Sequence, residues 1–245
     1  IGIGSTLLNK IISTVSFAVS KDDLKPSLTG VFFKIDSDLI TAVSTDGHRL
    51  AQYICKNETK ANFTGEVIIP KKFLNTIGSY TTQEEEISLL INDNVFTAKM
   101  GKDTVYTRII DEKFPDYESV IPKDNNKEIR VDRKALLAAV KRVSIFSNKT
   151  TQQVAMKTEK SKLLIATEDP EKASKAQEEL EASYGGDFIE IGFNASYLKD
   201  VLSHINSQEI ILKLNTPISA SLFYPEKSSA DETVSMLLMP IRLNE

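Results

Sequence analysis

The chain has very few of the residues that usually carry catalysis or cross-linking. Its 245 residues include one cysteine, no tryptophan and two histidines. A single thiol, Cys55, cannot form an internal disulfide and fits a reducing, cytoplasmic compartment. His48 and His204 lie far apart, and no His/Cys cluster has metal-ligand spacing, so no metal or other cofactor is expected. No apolar run approaches the roughly 20 residues that a membrane-crossing helix needs. The opening Ile1-Gly2-Ile3-Gly4-Ser5 has neither an initiator Met nor a charged secretory start, and reads as a cut point. Gly2 and Gly4 begin a GxGxxG pattern, but Leu7 occupies the third glycine position, and no Walker loop is present. Sequons at Asn57, Asn62, Asn148 and Asn194 are what an Asn- and Thr-rich chain produces by chance.

What the chain does have is repetition. Four times an apolar-x-apolar strand end meets a helix-starting residue, with leucine four positions later. The copies are Ile1-Gly2-Ile3-Gly4 with Leu8, Ile68-Ile69-Pro70 with Leu74, Ile129-Arg130-Val131-Asp132 with Leu136, and Ile191-Gly192-Phe193-Asn194 with Leu198. The starts at 4, 70, 132 and 194 lie 66, 62 and 62 residues apart. Gly, Pro, Asp and Asn suit this position because the first N–H groups of a helix lack intrahelical partners. Apolar residues then follow helical spacing, as in Leu7, Leu8, Ile11, Ile12 and Leu136, Leu137, Val140. One helix and about fifty other residues per copy exclude a helical solenoid.

Between the helices β signals dominate. Gly30-Val31-Phe32-Phe33-Lys34-Ile35 and Leu39-Ile40-Thr41-Ala42-Val43 flank the turn Asp36-Ser37-Asp38. Ile87-Ser88-Leu89-Leu90-Ile91 and Val95-Phe96-Thr97-Ala98-Lys99-Met100 flank Asn92-Asp93-Asn94. Connections this short do not allow parallel crossovers, so the sheets are mainly antiparallel. The expected fold class is α+β: two domains, each a pseudo-symmetric pair of strand–helix–strands repeats with helices on one face of the sheets. The polar stretch from Pro122 to Lys127 divides them into 1–124 and 125–245. Residues 167–186, acidic and poor in apolar side chains, read as a solvated face or loop.

The net charge of −4 argues against a simple nucleic-acid binder, but its distribution is uneven. The four proposed helices together carry +6, which leaves −10 on everything else. That partition suits either ordinary solvated helix faces or one basic surface turned toward a polyanion. A hydrolase centred on Asp46 and His48 is the enzymatic alternative. No nucleophile elbow accompanies the pair, and Asp-Gly between strands is ordinary turn composition.

Thr45-Asp46-Gly47-His48-Arg49-Leu50-Ala51, Phe114-Pro115-Asp116-Tyr117, Glu168-Asp169-Pro170-Glu171, Ile191-Gly192-Phe193-Asn194 and Met239-Pro240-Ile241-Arg242-Leu243 follow one another in a specific order and spacing. In this the chain resembles the bacterial DNA polymerase III beta-subunit family, the sliding clamps. The resemblance implies a non-enzymatic processivity factor of three domains, closed as a head-to-tail dimeric ring around duplex DNA with its helices lining the hole. Only the second and third domains are matched, so the chain reads as a fragment, monomeric or weakly self-associated and unable to close a ring. A protein-interaction scaffold with no DNA role is the other alternative.

Carried over residue by residue, the resemblance makes Lys10, Lys71, Lys72, Arg133, Lys134, Lys141, Arg142 and Lys199 loose, salt-sensitive phosphate contacts. It also implies a groove between the second and third domains for short peptides with glutamine and hydrophobic anchors, borne by polymerases, the clamp loader, mismatch-repair proteins and ligase. The second domain would supply Leu28, Thr45, Gly47, His48, Arg49, Leu50, Pro115 and Val120. The third would supply Tyr197, Ile218, Ala220, Leu237, Met239, Pro240, Ile241 and Arg242. Leu28, Leu50, Val120, Leu237 and Met239 would form its apolar part, with methionine adapting to several partners. Ser119 stands where relatives often carry a long basic residue, and Asn244-Glu245 extends past the usual Arg-Leu end. Ile145-Phe146 matches the contact with the next subunit.

Overall fold

A computed structural model describes residues 1–56, 63–80 and 86–243. The sequons at Asn57 and Asn62 and the Asn244-Glu245 extension lie outside the described residues. The chain divides into two units, Ile1–Tyr117 with Ser229–Val234, and Glu118–Ser228 with Ser235–Glu245. The division falls earlier than the 124/125 boundary read from the polar stretch. Asn125 shows why that stretch is not a bare linker. Its side-chain amide donates to the carbonyls of Lys213 and Ala220, both at 2.9 Å, within the second unit.

The first unit runs β1 (Gly2–Gly4), α1 (Ser5–Val15), β2 (Gly30–Ile35), β3 (Leu39–Thr45), β4 (Arg49–Lys56), β5 (Gly65–Pro70), α2 (Lys71–Tyr80), β6 (Glu86–Asn92), β7 (Val95–Met100) and β8 (Asp103–Arg108). The second runs β9 (Lys127–Asp132), α3 (Arg133–Val143), β10 (Gln153–Glu159), β11 (Lys162–Asp169), β12 (Ser174–Ser183), β13 (Glu190–Asn194), α4 (Ala195–His204), β14 (Glu209–Leu214), β15 (Ser221–Pro225) and β16 (Glu232–Leu238), whose first residues up to Val234 belong to the first unit. Each of the four helices starts one residue after its expected starter. The Asp132 carboxylate accepts from the Ala135 N–H at 2.7 Å, and the Asn194 side-chain oxygen from the Ser196 and Tyr197 N–H groups at 2.9 and 3.2 Å. These bonds satisfy donors that a helix leaves open at its first turn.

The strands explain why the repeats come in pairs. In the first unit β1 joins β6, β7 and β8, while β5 joins β2, β3 and β4. In the second, β13 joins β10, β11 and β12, while β9 joins β14, β15 and β16. Every four-stranded group thus takes its opening strand from one repeat and three strands from the other, and all pairings are antiparallel. A single repeat cannot complete its own sheet. The opening strands also close the units in the same way. The Ile110 N–H donates to the Ile68 carbonyl and the Ile241 N–H to the Gly192 carbonyl, both at 2.9 Å. Ile68 and Gly192 each sit two residues before a helix starter.

Helices α1 and α2 pack side by side in the first unit, and α3 and α4 in the second. Leu8, Ile11, Val15, Leu74 and Ile77 seal the first pair onto its sheets, and Leu136, Val140, Leu198 and Leu202 the second. Burying a side chain of this size contributes roughly 1.5–3 kcal/mol. Ser229–Val234 adds to the first unit through a Lys56 N–H to Asp231 carbonyl bond of 3.0 Å and ion pairs Lys10–Glu232 and Lys56–Asp231.

One expectation is corrected. Much of the acidic stretch 167–186 is strand β12, paired with β11 from Lys162↔Glu181 to Asp169↔Ser174. Its side chains largely alternate between half-buried and exposed, so Glu179 and Glu181 fall on the exposed positions and leave the pairing intact.

Candidate functional site

In the first unit the Thr45–Leu50 segment is a tight connection between β3 and β4. Gly47 has φ of +89°, a conformation that favours glycine, with open space around it. Asp46 Oδ1 accepts from the His48 and Arg49 N–H groups at 3.0 and 3.1 Å, and Asp46 Oδ2 from Arg49 Nε at 3.0 Å. The Asp46 carboxylate therefore shapes the turn, which does not favour the hydrolase alternative. Arg49 is buried: its guanidinium lies 5.3 Å from the Phe17 ring centroid and donates to the Phe17 carbonyl at 3.4 Å. Gly47 and His48 are exposed and Thr45 is half-buried. Leu28 and Leu50 are buried. Pro115 is exposed because Phe114 and Tyr117 on either side anchor the segment against Phe32, with ring centroids 4.8 and 6.0 Å away.

In the second unit the end of the chain carries the rest. Leu237 is buried in β16, opposite Leu222, whereas Met239 just beyond it is 40% exposed. Pro240 and Ile241 are half-buried and Arg242 is exposed. Ile218 is 67% exposed at the tip of the β14–β15 connection. Thr216, Ser219 and Asn125 hold that connection, and the Asn125 bond fixes the half-buried Ala220. Tyr197 is half-buried in the first turn of α4. Val120 is 53% exposed and falls in this unit. Of the five residues expected to form an apolar pocket, Val120 and Met239 are exposed, while Leu28, Leu50 and Leu237 lie in the cores of their own units. Sequence reasoning missed Asn125, which stands in a run that reads only as polar. A separate groove of about 1180 Å³, lined by Gln153, Ala155, Lys157, Glu168 and Gln177 among others, includes none of the expected peptide-contact residues.

The helix cations are not equivalent. Lys72, Lys134 and Lys141 are exposed, and Lys71 is half-buried. Arg133 donates to the Ser207 and Leu202 carbonyls at 2.9 Å each, tying down the end of α4. Lys199 reaches Ser144 Oγ at 3.4 Å, and Lys10 pairs with Glu232. Arg142 pairs with Glu178, which raises its own pKa and holds the Glu178 carboxyl below the usual carboxylate range. Ile145 and Phe146, 76% and 46% exposed, follow α3 directly.

The comparisons with known proteins cover the whole of this arrangement. The central-domain model of the DNA polymerase III beta subunit matches residues 2–116, and its C-terminal-domain model matches residues 118–242. The chain belongs to the DNA polymerase III beta subunit family. It is 32% identical to the beta sliding clamp of Pseudomonas putida over 96% of this chain and 64% of that protein. Its fold matches the crystal structure of the Pseudomonas aeruginosa sliding clamp bound to griselimycin with a TM-score of 0.93 at 30% identity, over 99% of this chain and 65% of that one. The Bacillus subtilis clamp matches with a TM-score of 0.93 at 27% identity. The chain spans just under two thirds of the length of these beta subunits.

Proposed function

We propose that this chain forms the central and C-terminal domains of a sliding clamp, a non-catalytic processivity subunit that encircles duplex DNA and tethers replication and repair proteins. The observation that carries this reading is the doubled strand-exchange unit, similar along its whole length to beta subunits of known structure. Helices paired on one side of each unit give a ring a wall of helices. Exposed Lys72, Lys134 and Lys141 give that wall sequence-independent, salt-sensitive contact with phosphate. Tight binding would oppose sliding, so modest charge suits the task. We place the protein in the cytoplasm, with the replication proteins it is read to tether.

Partners are taken to be the polymerase, the clamp loader, repair proteins and ligase, each presenting a short peptide with a glutamine and hydrophobic anchors. On the second unit the receiving residues are Ile218, Met239, Pro240 and their neighbours. On the first unit they are the exposed part of the Thr45–Leu50 turn with Pro115. Ile145 and Phe146 are assigned to the head-to-tail contact of a dimeric ring, which requires the remaining domain. This chain alone is expected to sediment as a monomer. The test of tethering is titration of a labelled Gln-Leu-x-Leu-Phe peptide. The expected affinity is roughly micromolar, about −8 kcal/mol, and Met239→Glu is expected to abolish it. No binding to the parent chain, or equal binding to the variant, overturns the assignment.

A further inference from the structure

On α3 the residues Lys134, Lys141 and Arg142 share the solvent face, opposite Leu136, Val140 and Val143, but only Arg142 is gripped by a neighbouring strand. Glu178 of β12 takes its guanidinium at two points, Nε to Oε2 at 2.9 Å and Nη2 to Oε1 at 2.5 Å. A two-point fork of this kind is also how a guanidinium meets a phosphate. Glu178 is fixed by its strand, opposite Ile165 of β11, and its side chain is 28% exposed. The Arg142 side chain is 60% exposed, so a polyanion can reach the guanidinium from solvent.

We propose that Glu178 is a built-in competitor with DNA phosphate for Arg142. The helix then carries two standing cations, Lys134 and Lys141, and one that engages phosphate only by leaving Glu178. The exchange swaps one anionic partner for another and needs no change in the fold. Its effect is to keep the grip on DNA below what the count of cations suggests. This inference rests on the reading of α3 as a DNA-facing helix, and it adds the carboxylate that regulates that face.

The test is fluorescence anisotropy of a short labelled duplex with this chain over a salt series. Glu178→Gln is expected to tighten binding about threefold at low salt and to steepen the log K against log salt slope by up to about 0.9, one phosphate contact. Arg142→Gln alone is expected to change little, and the double variant Glu178→Gln/Arg142→Gln to return to the parent. Lys141→Gln is expected to weaken binding in every background. Thermal melts check that the variants, all at solvent-reached side chains, keep the parent fold. Equal tightening by Glu178→Gln in the presence and absence of Arg142 means that Glu178 acts through net charge alone, and overturns the proposal. So does a loss on Arg142→Gln as large as that on Lys141→Gln. A parent chain with no salt-dependent affinity for duplex overturns the DNA-facing reading and the proposal with it.

Discussion

In the first unit the helices start from Gly4 and Pro70, which have no side-chain acceptor to offer. In the second they start from Asp132 and Asn194, whose side chains close three N–H bonds between them. The helices nonetheless begin at the same place in each repeat and support the same exchange of opening strands. Strand exchange and the apolar stripe therefore set the topology, while the capping bond adds local stability. The closing bridges differ too. In the first unit the bridge carbonyl belongs to Ile68, buried in the core. In the second it belongs to Gly192, where an added Cβ would stand 2.5 Å from the Ile241 carbonyl oxygen. A glycine there admits the backbone that leads out of Met239.

The largest effect that separates the units is expected at this bridge. Gly192→Ala should force the backbone of Ile241 away and destabilise the second unit by about 1–3 kcal/mol, seen as a lower urea midpoint together with weaker peptide binding. An unchanged midpoint would mean that the close approach does not hold the tail. Next come the caps. Asn194→Ala and Asp132→Ala should each cost about 1 kcal/mol, whereas Gly4→Ala, with open space around it, should shift the thermal midpoint far less. Equal losses at all three positions would erase the distinction between the units.

The smallest effect is electrostatic and belongs to the first unit. Burial pushes the Glu232 carboxyl up, but Lys10 and Tyr53 outweigh it and hold its pKa below the usual carboxylate range. A carboxyl with a depressed folded-state pKa binds more protons when unfolded. Its contribution is therefore present above the unfolded value, about 4.3, and is lost as pH falls through the folded value. Glu232→Gln should flatten this acid limb in a series of urea midpoints, and an unaltered limb would assign it to other carboxylates. Tyr53, raised first by burial and then by the neighbouring Glu232 carboxylate, gives the opposite sign: its contribution is present below about pH 10 and declines as the solution becomes more alkaline.

Much of the fold was legible because it follows from local chemistry. The four helix starts could be read because starter residues stand immediately before helically spaced apolar residues. The exchange of opening strands could not, since every antiparallel strand satisfies the same local pattern whichever repeat it pairs with. β12 was hidden because hydrophobicity is a poor guide to a strand whose side chains are largely solvated. At the candidate site, the turn at Gly47 was legible because Asp-Gly between two strands is ordinary turn composition. The inward use of Arg133 and Arg49 was not, because a cation carries the same charge in sequence whether it faces phosphate or holds a carbonyl. The helix charge of +6 overstates what is free to meet a polyanion, since Lys10 and Arg142 are paired and Arg133 is turned to carbonyls.

The most direct test of the tethering account is amide chemical-shift mapping of the Gln-Leu-x-Leu-Phe peptide on the isotope-labelled chain. The account predicts saturable shifts at Ile218, Met239 and Ile241 of the second unit and at Gly47 and His48 of the first. Shifts confined elsewhere, for instance to exposed Leu90 and Tyr106 on the β6–β8 sheet, would contradict it.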